Sequence, residues 1–159
     1  MNWKKASALI LLAALPIALA GVIHAQTESD IATTRAALQA DRQATVAANL
    51  TLTEAQAAAF WPLYREYRAE MALVGDQLQK MITTYAMAYN SASVTDEQGM
   101  AITKDYLKLK KDGTDIRSKY LSKFGKVIPG KSVMRFYQIE NKLDVIVDAA
   151  LASEIPLVQ

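Results

Sequence analysis

Between Leu52 and Tyr89 the chain carries an apolar seam that only a long helix can align. Phe60, Tyr64, Tyr67, Met71, Val74, Leu78, Met81 and Tyr85 follow one another at alternating spacings of 4 and 3. Such a seven-residue repeat puts every member on one face, and it marks a helix packed lengthwise against another helix. A start signal stands just upstream. Thr53 is placed as N-cap, its hydroxyl accepting from the Gln56 backbone N–H while the Gln56 side chain accepts from the Thr53 N–H, a capping box. Glu54 in the first turn suits the positive end of the helix dipole. The spacing predicts a helix from Glu54 to about Tyr89, on the order of 50 Å long at ~1.5 Å per residue. Pro62 lies inside it, cannot donate to the carbonyl of Ala58, and should kink or curve the helix.

The same grammar recurs at Val94-Thr95-Asp96-Glu97-Gln98. A third helix is expected from Asp96 to about Lys126, with Ile102, Tyr106, Leu109, Gly113, Ile116, Tyr120, Phe124 and Val127 as its seam. Gly113 lowers helix propensity by about 1 kcal/mol; it either permits a close helix approach or simply loosens the helix. Val127-Ile128-Pro129-Gly130 ends this helix, and Lys131-Ser132 leads into a fourth with the seam Phe136, Ile139, Leu143, Ile146 and Ala150. Pro156 stops the fourth helix or follows its end. Upstream, Ile31 to Ala48 is Ala-rich, a good helix former. With few large apolar residues besides Leu38 and Val46, it should add little to the core. Asn49-Leu50-Thr51 reads as a turn. A shift of 76 residues sets Leu52 on Ile128, Ala57 on Val133, Phe60 on Phe136, Trp61 on Tyr137 and Leu63 on Ile139, an internal repeat. The expected fold is all-α with four helices. A long antiparallel α-hairpin would carry a short N-terminal helix and a packed C-terminal one, in a curved layer.

The first 25 residues read as a signal peptide. Met1-Asn2-Trp3-Lys4-Lys5 is a basic n-region, Ala6–Ala20 an apolar h-region, and Ile23-His24-Ala25 a cleavage site. Ala18-Leu19-Ala20 is a second candidate site. The alternative, an uncleaved anchor, is disfavoured because the run is short for a span and holds Pro16. Residues 26–159 would then be a single domain in the periplasm, with no stable membrane insertion once the leader is removed. The chain has no Cys, so a domain in an oxidising compartment would manage without disulfides. The only His is His24; its loss with the leader removes the commonest metal ligand and general base. Without Lys4 and Lys5, 16 basic residues face 16 acidic ones and the net charge is zero. Residues 26–100 hold five basic and nine acidic side chains, and residues 101–159 hold eleven and seven, so the positive field lies C-terminal. Neutral overall charge and an exported chain argue against nucleic acid.

No catalytic motif stands out. Pro129-Gly130-Lys131-Ser132 resembles the end of a phosphate loop, but the earlier Gly is missing. Acidic residues sit at helix-surface spacings, and no catalytic residue, metal site or cofactor is expected. Met71, Met81, Met87, Met100 and Met134 are soft ligands in principle, though Met at helical spacing is more often core filler. A basic stripe runs along the third helix: Lys104, Lys108 and Lys111, then Lys119, Lys123 and Lys126. It reads either as a solvated face or as a positive surface that attracts acidic or partly unfolded clients. Aromatic residues are numerous for a small helical domain, so some should face a groove or a partner.

The segment Leu52-Thr53-Glu54-Ala55-Gln56 matches L-T-x-x-Q, and through Leu52, Thr53 and Gln56 the chain resembles the Spy/CpxP family of periplasmic proteins. The likeness covers roughly Leu50 to Ala150, chiefly through helix layout. It departs at the second copy of the motif, where Ile128-Pro129-Gly130-Lys131-Ser132 keeps neither Thr nor Gln. The resemblance implies a cradle-shaped antiparallel homodimer. It also implies an ATP-independent chaperone for unfolded or stress-damaged clients, not an enzyme. The alternative is a sensor or inhibitor adaptor that docks on one membrane partner.

Overall fold

The computed structural model describes residues 40–158, which belong to one unit, Leu38–Gln159. The leader, both cleavage sites and the first part of the expected N-terminal helix lie outside the described residues. Within them are four helices and no strand: α1 over residues 40–49, α2 over Glu54–Asn90, α3 over Asp96–Phe124 and α4 over Gly130–Glu154. The all-α, four-helix expectation holds, and the helix boundaries fall within a few residues of those read from the sequence.

Local chemistry explains the boundaries. At α2, Gln56 N donates to Thr53 Oγ1 at 3.3 Å, and Thr53 N donates to Gln56 Oε1 at 3.0 Å. Thr95 and Gln98 repeat the arrangement at α3, at 3.2 and 3.0 Å. Both capping boxes are therefore complete. Pro62 lies inside α2 without ending it. The C-terminus of α2 is closed by Ala92 N donating to Tyr89 O and Ser93 N donating to Ala88 O, both at 3.0 Å. These are the two bonds of a Schellman motif. α4 starts at Pro129 with no side-chain cap, as expected from the loss of Thr and Gln there.

The core is aromatic and sits at one end of the bundle. Phe60, Tyr64 and Tyr67 of α2, Tyr120 and Phe124 of α3, and Phe136 of α4 are all buried. Ring centroids lie 5.2 Å apart for Phe60–Phe124, 4.8 Å for Phe124–Phe136 and 5.3 Å for Phe60–Phe136. Each such pair contributes about 0.5–1.5 kcal/mol beyond its buried area. Phe60 meets Phe124 while Tyr67 meets Tyr120, so α2 and α3 run antiparallel. Gly113 is buried on the inner face of α3, where a Cβ would stand at ordinary contact distance, 3.8 Å, from Met71 Cε of α2 and 3.2 Å from Arg117 Nη1 of its own helix.

The expectation that the N-terminal helix contributes little is corrected. Val46 is fully buried and Leu50 nearly so, both within the aromatic cluster. A helix with few large apolar residues still closes the core when those few fall on its inner face. Leu50 opens the connection to α2, as the expected turn at Asn49-Leu50-Thr51 requires, yet its side chain is buried; its N–H bonds Val46 O at 2.9 Å, and Arg135 Nε donates to Asn49 O at 2.5 Å. The 76-residue repeat agrees with the packing. Its partners Phe60 and Phe136 are both fully buried and touch edge to face.

Candidate functional site: an open apolar cleft

Away from the aromatic end the seams loosen. Leu78, Met81 and Tyr85 are only half-buried, and Tyr106 and Ile146, expected on packed seams, are 41% and 44% exposed. The two ends pack differently. At the closed end α4 buries Phe136 among the rings of α2 and α3, whereas at the other end Leu151, Ala152 and Ile155 line a gap that they do not fill.

The result is a cleft of about 670 Å³, within the roughly 300–1,000 Å³ usual for ligand sites. Leu78, Met81, Ile82 and Tyr85 form one wall from α2, and Ile102 and Tyr106 another from α3. Leu151, Ala152 and Ile155 close it from α4, and Pro156, Leu157 and Val158 cross its mouth. The lining is aliphatic and aromatic apart from Thr103, Lys110 and Asp148. Lys110 Nζ bonds Asp148 Oδ2 at 2.9 Å and lies 5.5 Å from the Tyr106 ring centroid, tying α3 to α4 beside the cleft. That hydrogen bond holds the Lys110 ammonium above its ordinary pKa. On the α2 side, Tyr85 Oη donates to Pro156 O at 2.8 Å.

A second feature escaped the sequence reading, which put acidic residues on helix surfaces. Glu140 of α4 is 1% exposed. Its Oε2 accepts from Arg68 of α2 at 3.2 Å and from Arg42 of α1 at 3.4 Å. Arg42 also pairs with Asp144, which Arg117 of α3 reaches at 2.7 Å. One carboxylate pair thus draws a guanidinium from each of the other three helices. Burial pushes the Glu140 carboxyl above its ordinary 4.5, and the pull of Arg42 and Arg68 does not cancel it. Burial, with the Glu140 charge behind it, lifts the Tyr64 hydroxyl to about 12 and raises Tyr67 as well. The signal that could have found this cluster is the internal repeat. The same 76-residue shift places Glu140 on Tyr64 and Asp144 on Arg68, both inward positions of α2.

Leu52, Thr53 and Gln56 serve as expected for a helix start. Thr53 is exposed, Leu52 and Gln56 are half-buried, and Leu52 packs against the core. Five of the six lysines lie along α3 and Lys126 lies in the turn just past its end, and most of the six face a carboxylate. Lys108 pairs with Asp112 and Lys111 with Asp115, each at 2.5 Å. Lys119 reaches Glu70 at 2.6 Å and Lys123 reaches Glu66 at 3.6 Å, both across to α2. The Lys119 bond is the chief reason the Glu70 carboxyl is lowered. Lys104 and Lys126 have no such partner among the described residues. The methionines divide: Met71 packs against the core and Met81 is half-buried, whereas Met87, Met100 and Met134 are 63%, 73% and 63% exposed and do not fill it. Among the described residues no group of three or more His, Cys, Asp or Glu is placed to hold a metal ion, and no helix is long and apolar enough to cross a membrane. No family model, curated protein or solved structure matches the chain.

Proposed function

We propose that the chain is an ATP-independent, chaperone-like protein of the periplasm that binds apolar stretches of unfolded or stress-damaged proteins. The observation that carries this reading is the cleft. A rigid aromatic end holds three helices, and their apolar faces at the other end stay unfilled. Half-buried Met81 in the lining adds a soft contact that adapts to different partners. Export rests on the leader read at residues 1–25. Exposed Leu107 and Leu121 on α3 suit a homodimer contact.

The test is a panel of unrelated aggregation-prone proteins, followed by light scattering with the chain at near-stoichiometric amounts. Protection of several clients supports a chaperone. Protection of none, with recovery of one membrane protein from solubilised envelopes, supports the adaptor.

A further inference from the structure

We infer that residues 155–158 form a resident strap of the cleft and stand in for its ligand, an extended, uncharged apolar peptide segment. This deepens the client-binding reading and rests on it.

The strap is built by sequence. Pro156 disfavours helical backbone at the residue before it, and Ile155 is extended at φ −87° and ψ 114°. Ile155 N still donates to Leu151 O at 3.0 Å, so the chain leaves α4 at a fixed point. It then crosses the mouth, and Pro156 O accepts the Tyr85 hydroxyl of the opposite wall at 2.8 Å. Ile-Pro-Leu-Val carries no charge, in keeping with the lining.

Two features of this contact define the ligand. The polar recognition is of a main-chain carbonyl, which any peptide supplies whatever its sequence and an acyl chain lacks along its length. The remaining surface accepts aliphatic side chains. The strap itself fills the cleft poorly: Ile155 is half-buried, but Leu157 and Val158 are 88% and 61% exposed. Two large apolar side chains in water and a single hydrogen bond make a weakly held occupant. A client segment that inserts its side chains would displace it and take over the Tyr85 hydroxyl.

The experiment uses a fluorescent, N-acetylated Ile-Pro-Leu-Val-Gln peptide and reads binding by anisotropy. Three proteins are compared: the full chain, a chain ending after Ile155, and a full chain carrying Ile155→Gly and Pro156→Gly, which loosens the strap without removing it. The shortened and loosened chains should bind about three- to tenfold tighter than the full chain, the range expected for releasing one competing hydrogen bond. Adding Tyr85→Phe to the shortened chain should reverse the gain. Equal binding by all three overturns the strap and leaves the cleft reading standing. Binding by none overturns the cleft reading and the strap with it. Binding of dodecanoate but not of the peptide assigns the cleft to a lipid chain and also overturns the inference.

Discussion

Ala92 occupies the C′ position of a Schellman motif with φ 49°, the left-handed region where a Cβ is crowded. Ala92→Gly should therefore stabilise the fold by about 1 kcal/mol, read as a higher denaturant midpoint; a loss of stability would contradict the assignment. Thr53→Ala should cost about 1 kcal/mol. Thr53→Ala and Gln56→Ala should be non-additive in a double-mutant cycle, because the two side chains serve one reciprocal box. Glu140 gives a pH signature of unusual sign. Its carboxyl is raised on folding, so it holds its proton more tightly in the native state. That contribution is fully present below the ordinary 4.5 and is lost as pH rises through the raised folded value. Glu70, lowered by Lys119, acts the other way below 4.5, and weakly, because it is exposed to solvent. The melting temperature of the native chain should thus rise from neutral pH toward 4.5, and Glu140→Gln should flatten that slope; parallel slopes for the two proteins would show that Glu140 is not held above its ordinary range.

At the scale of elements, the helices were largely legible because their signals are local. Two Thr-x-x-Gln boxes, a seven-residue seam and Pro156 lie within a few residues of what they specify. The weight of α1 was not legible, since Val46 and Leu50 look sparse among alanines and their importance comes from where the helix lands. The lysine stripe shows a similar limit. Its spacing on α3 was right, but Glu66 and Glu70 belong to α2, and pairing across helices cannot be read from one periodicity. This pairing yields a graded prediction. Lys104→Gln with Lys126→Gln should slow association with an acidic client more than Lys108→Gln with Lys111→Gln, whose charges already face Asp112 and Asp115. Stopped-flow rates against ionic strength measure this, because screening cuts the reach of exposed charge to about 10 Å at 0.1 M. Equal effects of the two pairs would return the stripe to a solvated face.

Across the whole molecule, one bundle is filled by rings at one end and left open at the other. The seam residues of the cleft were identified, but as core. Nothing in the spacing of Leu78, Met81, Ile102 and Tyr106 says that the space between the helices stays open there, nor that Tyr85 meets Pro156 across 71 residues. The central claim is that clients are held in this cleft and not by general surface stickiness. The most direct measurement is suppression of client aggregation by the native chain, by Ile102→Glu and Met81→Glu, and by Met134→Glu as a surface control, after melting curves confirm that each is folded. The account predicts that a carboxylate in the cleft abolishes protection at equal protein ratios, while Met134→Glu retains it. Full protection by both cleft variants would contradict it.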